Sequence, residues 1–137
     1  MIQITGTLLF DQIPKSTAQM KRVNHRTGQF FYSKAQEQTI RQYERQLFQY
    51  KPKEPIAGPV YVSVEFSYGT KDKKKQGKCK TSRPDCDNLV KTLLDCMTRL
   101  GFWVDDAQVS ILRIEKGWND REDARIDFEV KEVVENG

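Results

Sequence analysis

Apolar and polar residues alternate most cleanly from Val60 to Tyr68. Val60, Val62, Val64, Phe66 and Tyr68 share one side and Tyr61, Ser63, Glu65 and Ser67 the other, which predicts a half-buried strand. Ala124, Ile126, Phe128 and Val130 set against Arg125, Asp127 and Glu129 predict a final strand of the same kind. A looser alternation predicts a first strand over Ile2 to Phe10, and Gln108 to Lys116 reads as another. Elsewhere the period lengthens. Ile40, Tyr43, Leu47 and Tyr50 recur at helical spacing behind Ser33 and Gln36, which fit a capping box, so a helix is expected over 34–49. Pro52, Pro55, Gly58 and Pro59 then form a linker. Leu89, Val90, Leu93, Leu94, Met97 and Leu100 predict a second helix from Asn88, about three turns long, with Gly101 as its stop. Asp11 to Phe31 reads as a long loop with a short hairpin around Thr27-Gly28, Gly117 to Asp123 as a turn, and the acidic tail as frayed.

The order strand, helix, strand, helix, strand, strand predicts an α+β fold, a small mixed sheet of about four strands covered by two helices, in a single domain spanning 1–137. A hairpin across Gly117 to Asp123 is expected to make at least one pair antiparallel, and strand order does not follow from the pattern. The N-terminus lacks a basic lead and a cleavage site, and no apolar run approaches the roughly 18 residues of a membrane span, so a cytoplasmic protein is expected. Cys79, Cys86 and Cys96 are odd in number with no Cys-x-x-Cys pair, and read as reduced thiols. The one histidine, His25, lies in a polar basic segment, which leaves carboxylates and lysines to carry any acid, base or metal chemistry.

The net charge of +4 conceals a sharper partition. Residues 12–34 carry Lys15, Lys21, Arg22, Arg26 and Lys34 with no acid, for +5. Residues 70–83 carry Lys71, Lys73, Lys74, Lys75, Lys78, Lys80 and Arg83 against Asp72, for +6, and the rest of the chain is therefore −7. A lone lysine run is usually a solvated loop. This one leads straight into a cluster of aspartates, so a polyanion drawn toward a carboxylate-held metal accounts for it better.

That cluster lies within RPDCDNLVKTLLDCMTRLGFWVDD, Arg83 to Asp106. Asp85 and Asp87 alternate, so in extended backbone both point to one side, as a shared cation requires. Asp87, Lys91 and Asp95 are four apart on the polar side of the helix. A helix of about twelve residues rises roughly 18 Å. Asp106 therefore joins Asp85 and Asp87 only if Phe102-Trp103-Val104 double back beside the helix, or if a second subunit supplies it. Ordinary alternatives exist for each piece: an Asp before a helix as a cap, Asp-Asp as a surface turn. An EF-hand is excluded, because Val90 and Cys96 stand where its Gly and Glu belong.

The run Arg83-Pro84-Asp85-x-Asp87-Asn88-Leu89-x-Lys91, then Asp95, then Gly101-x-Trp103-x-Asp105-Asp106-x-Gln108-Val109, resembles the signature of the RusA-type Holliday junction resolvases, small phage and prophage endonucleases. The resemblance implies a Mg²⁺-dependent endodeoxyribonuclease (Mn²⁺ being a possible substitute) that acts as a homodimer, making paired symmetric nicks in four-way DNA during recombination and repair. It implies Asp85, Asp87 and Asp106 as metal ligands, with Asp105 supporting them as an acceptor. Lys91 would neutralise phosphate charge or orient water, although an ion pair with Asp87 or Asp95 fits the spacing equally well. Asp95 reads as a structural partner. The two basic segments would hold branched DNA. Ile13-Pro14-Lys15-Ser16 shares some of the family character, whereas Ala18 to Arg22 departs from it. Two other readings remain: a non-catalytic DNA-binding protein, and a metal-dependent phosphohydrolase of nucleotides, against which the long basic surface argues.

Overall fold

The computed structural model describes residues 1–14, 21–23 and 25–135. Four strands form one sheet: β1 (Gln3–Phe10), β4 (Val60–Tyr68), β5 (Val109–Trp118) and β6 (Ala124–Glu132), in the order β1-β6-β4-β5. β6 is antiparallel to both β1 and β4, while β4 and β5 are parallel; β4 stands between β5 and β6, so the expected hairpin across Gly117 to Asp123 is corrected to a connection between strands that do not pair. A parallel pair needs a crossover, and helix α2 (Cys86–Leu100) supplies it. The expected mixed sheet with two helices is present. The hairpin is present too, β2 (Lys21–Val23) pairing with β3 (Phe30–Tyr32) around Gly28, whose φ of 70° suits glycine.

One face of the sheet is covered. Val62, Val64 and Phe66 stand opposite Val130, Phe128 and Ile126, and this apolar face packs on Tyr43 and Leu47 of helix α1 (Lys34–Leu47) and on Leu89, Leu93 and Met97 of α2. Ser33 caps α1 by accepting from the Gln36 amide, which is one half of the expected capping box; the Gln36 side chain reaches α2 and not the Ser33 backbone. The opposite face carries the exposed ion pairs Arg125–Asp127, Lys131–Glu129 and Arg113–Glu115, each of small value to stability. Buried Gln36 donates to Thr92 Oγ1 at 3.1 Å, joining the helices.

Three boundaries differ from expectation. α1 ends at Leu47, and Phe48–Tyr50 form a 3₁₀ turn that carries Tyr50 toward β1, where its hydroxyl meets the Thr7 N–H and carbonyl. β5 runs on to Trp118, because Lys78 to Lys80 lie along its outer side: Trp118 N donates to Lys78 O and Lys80 N to Lys116 O. Gly117 permits that approach, since a Cβ there would stand 3.2 Å from the Lys78 carbonyl. α2 starts at Cys86, two residues early. None of the described helices is long and apolar enough to cross a membrane.

α2 stops at Gly101 as expected, in left-handed backbone at φ 87°. Its amide and that of Phe102 satisfy the carbonyls of Thr98 and Met97. A Cβ at Gly101 would meet only Pro55, at an ordinary 3.8 Å, so the cost of a side chain there is one of backbone conformation. Gly101→Ala is accordingly expected to lower stability by about 1 kcal/mol in urea unfolding, with the slope against denaturant unchanged.

Candidate active site

The segment before α2 is held by two ammonium groups. Lys116, on β5, donates to the carbonyls of Ser82 and Pro84, both at 2.6 Å. Lys80 donates to the Ser82 hydroxyl and to the Arg83 carbonyl at 2.8 Å. Its ammonium also lies over the rings of Tyr68 and Trp118, 4.9 and 5.1 Å from their centroids. Only 8% of Lys80 is exposed, and burial together with the positive charges of Lys116 and Lys75 holds its pKa below the ordinary lysine value. Neither lysine is paired with a carboxylate among the described residues. Two cations thus converge on the tripeptide that delivers Asp85. Nothing in the spacing of the lysines distinguishes these two from their neighbours, and neither role was foreseen.

Asp85 is the N-cap of α2, in extended backbone, yet its side chain makes no capping hydrogen bond. Position alone suggests the ordinary role of an N-cap Asp, but the carboxylate does not perform it. Cys86 and Asp87 are already helical, so the expected alternation of Asp85 and Asp87 in extended chain is corrected: they are neighbours as cap and first turn. Asp87 and Lys91 are both exposed, and among the described residues Lys91 makes no ion pair with Asp87 or Asp95. The N-terminal end of α2 therefore presents two carboxylates and an ammonium without an ion pair among the described residues.

Asp106 lies elsewhere. Phe102 and Trp103 do not double back along α2 but enter the core, where each is essentially fully buried. Phe102 O accepts from Ile56 N at 3.0 Å, and Trp103 donates from its indole to Thr98 Oγ1 at 2.7 Å. Asp105 and Asp106 emerge beside the far end of the helix, in a shallow cleft with Asp95, Thr98, Arg99 and Val104. Asp95 stands two turns beyond Asp87, about 12 Å along the axis. Within one chain the return path is not taken. No group of three or more His, Cys, Asp or Glu side chains among the described residues is placed to hold a metal ion.

The adjacent acids differ in duty. Asp105 caps the 3₁₀ turn Asp106–Gln108 by accepting from Ala107 N at 2.9 Å, and that bond lowers its pKa. Asp106 has its pKa raised by a hydrogen bond with Asp105 and by the like charges of Asp105 and Asp95. Gln108 fixes the turn with four bonds: its amide nitrogen donates to the carbonyls of Ile56 and Gly58, and its oxygen accepts from the amides of Val104 and Asp105. Asp105 is thus occupied and Asp106 is left presented to solvent, crowded by negative charge.

The basic segments divide as well. Lys80, expected to face DNA, is turned inward. Lys75 lies 4.9 Å from the centroid of the Trp118 ring, and Lys71 is within 3.9 Å of Glu122. Lys73, Lys74, Lys78 and Arg83 are exposed without an ion pair among the described residues. Arg26 is exposed in the hairpin turn. Lys15 and the side chains of Lys21 and Arg22 lie outside the described residues.

Residues 12–131 match the family described as Endodeoxyribonuclease RusA. A crossover junction endodeoxyribonuclease of Lactococcus phage r1t is 38% identical over 125 residues, covering 90% of this chain and 93% of that protein. An uncharacterised Bacillus subtilis protein, YqaN, is 32% identical over 96 residues, covering 62% and 66%. The crossover junction endodeoxyribonuclease RusA of Escherichia coli K12 is 53% identical over 34 residues, a quarter of the chain.

The lysine clamp gives a direct expectation. Lys116→Met leaves the carbonyls of Ser82 and Pro84 without their charged donor and should cost roughly 2 kcal/mol. Hydrogen exchange should accelerate at the first turns of α2 and along 82–85, while the amides of β6 keep their protection.

Proposed function

The chain belongs to the RusA endodeoxyribonuclease family, and from that premise we propose that it is a divalent-metal-dependent endonuclease which resolves four-way DNA junctions by paired symmetric nicks. The observation that carries this reading is the N-cap carboxylate of Asp85, which forgoes its cap bond and stands beside Asp87 with Lys91 one turn on. A helix N-terminus also favours a bound anion such as a phosphate.

Asp85 and Asp87 hold Mg²⁺, with Mn²⁺ as a substitute. Asp106 completes the set from a second subunit, since its own chain carries it to the far end of α2. The donors fit the ion, being hard carboxylate oxygens with no thiolate or imidazole among them. When bound, the ion supplies charge neutralisation on the phosphate and a more acidic water. Lys91, free of any intrahelical pair, contacts the phosphate and draws the scissile bond toward the carboxylates. Asp105 keeps Asp106 in place through the capped turn and the hydrogen bond between the two acids. Lys80 and Lys116 set the direction of Asp85 by holding the three residues before it. The exposed Lys73, Lys74, Lys78 and Arg83 grip the DNA backbone ahead of the site, with Arg26 on the hairpin turn. The reading also extends to a role in recombination and repair, and to an origin in a phage or prophage.

The decisive experiment compares labelled four-way, duplex and single-stranded DNA with and without Mg²⁺. Asp85→Asn, Asp87→Asn and Asp106→Asn should each reduce junction cleavage by about a hundredfold or more while binding persists. Asp105→Asn, which can still cap, should be milder. Near-normal cutting by Asp87→Asn would overturn the proposed ligand set. Binding without any metal-dependent cleavage would return the protein to the non-catalytic class, and release of phosphate from nucleotides would favour the phosphohydrolase.

Junction affinity gives a second test. Replacing Lys73, Lys74 and Lys78 by Ala should reduce the magnitude of the log–log salt slope by roughly 2 to 3. The cleavage rate at saturating protein should stay near wild type. An unchanged slope would move the DNA surface to the N-terminal basic segment.

A further inference from the structure

Where β4 and β5 end and β6 begins, beside the start of α2, the sheet holds a cleft of about 450 Å³, within the range that takes a small ligand. Its floor is Tyr68, Trp118 and Ala124, from three adjacent strands. Its walls are Arg83 and Pro84, the two residues before Asp85, and Asp11 to Ile13, just after β1. The Tyr68 hydroxyl is cut off from solvent and has no hydrogen-bond partner among the described residues, so the fold leaves a polar group unsatisfied at this end of the sheet.

Charge decides what the cleft can take. Buried Lys80 lines it, but its ammonium is already spent: three acceptors, the Ser82 hydroxyl and the carbonyls of Ser82 and Arg83, answer its three protons. Arg83 is the remaining cation, exposed, and it shares the cleft with the carboxylates of Asp11 and Glu122. Lys71 offsets Glu122 only weakly, as an exposed pair at 3.9 Å. A phosphate would thus meet one available guanidinium and two like charges, which disfavours it. A nucleobase answers the same groups. It is flat and uncharged, its ring nitrogens and carbonyls accept from a guanidinium, and its exocyclic amines donate to carboxylates. Its faces suit Ile13, Pro84 and the aromatic floor.

Pro84 directly precedes Asp85, so a strand whose phosphate reaches the carboxylates at the start of α2 passes the mouth of the cleft. We propose that this cleft takes one nucleobase, turned out of its stack from a nucleotide beside the scissile phosphate. The captured base anchors the strand and sets its phosphate in register with Asp85 and Asp87. Turning a base out costs least where it is already poorly paired, as at a point of strand exchange, and more within continuous duplex. The cleft therefore favours a crossing strand over a plain one. The inference rests on the junction-nuclease reading above and adds what holds the strand at the cut.

The test begins by mapping the cut on a labelled four-way junction, and the two nucleotides flanking it are then replaced one at a time. With 2-aminopurine there and Ca²⁺ in place of Mg²⁺, the wild-type protein should raise fluorescence severalfold at one of the two positions and leave 2-aminopurine within the arms unchanged. Gln12→Trp, at an exposed position on the cleft wall, fills the cleft and should slow cleavage of the ordinary junction about tenfold. On a junction abasic at that same nucleotide the penalty should vanish, because no base competes with the new ring for the space. A penalty of equal size on both junctions, which a merely structural effect would give, or no penalty on either, overturns the proposal. So does an unchanged 2-aminopurine signal at both flanking nucleotides of a bound junction. Either result with metal-dependent cleavage intact defeats the cleft alone, whereas failure to bind or cut any junction defeats the nuclease reading and the proposal with it.

Discussion

Phe102 and Trp103 leave the end of α2 and pass straight into the core, where both are buried and the backbone between Pro55 and Gly58 closes over them. Losing a buried aromatic costs on the order of 3–5 kcal/mol. A surface path beside α2 would forfeit both, and no exposed ion pair or turn could offset that. Positions downstream inherit the choice: Gln108 bonds to the same linker, the 3₁₀ turn stands at the far end of the helix, and β5 starts level with Val60, parallel to β4. The separation of Asp106 from Asp85 is thus a consequence of core packing.

The same packing sorts the charges. Lys80 and Lys116 sit where β4 and β5 end, close enough to the descending loop for their ammonium groups to find backbone oxygens in place of water. An ammonium with several hydrogen bonds to carbonyls tolerates partial burial, and the cation–π contacts with Tyr68 and Trp118 add to it. In the turn between Thr70 and Gly77, Lys71 and Lys75 meet Glu122 and the Trp118 ring, while Lys73 and Lys74 are exposed without an ion pair among the described residues. At the other end of α2, Asp105 is occupied by its cap, while the hydrogen bond with Asp105 and the like charges of Asp105 and Asp95 raise the pKa of Asp106. Charge left uncompensated within one chain marks the places where something from outside is expected to bind.

A four-stranded sheet covered on one face must settle its edges. α1 and the turn after it lie close enough to β1 for Gln46 and Tyr50 to satisfy the outward amides and carbonyls of Leu9 and Thr7. α2 crosses under β5 without covering all of it, so Leu112, although on the helical face, is left half in water. The imbalance arises because α2 serves as the crossover for β4 and β5 and also has to expose its N-terminal end.

The elements themselves were legible in the sequence. Alternation at Val60–Tyr68 and Ala124–Val130 and helical spacing at Leu89–Leu100 depend on which side of a local element is apolar, and Gly101 and Ser33 act through bonds within a few residues. The run from Arg83 to Val109, which carries the family resemblance, was equally visible, because it is a matter of residue type and spacing. Strand order, the inward turn of Lys80, the clamp by Lys116 and the destination of Asp106 were not. Each depends on contacts between residues far apart in the chain, such as Ile56 with Trp103 or Ser82 with Lys116. Local period carries no information about which distant surface an apolar or charged residue will meet, and that is settled only when the core closes.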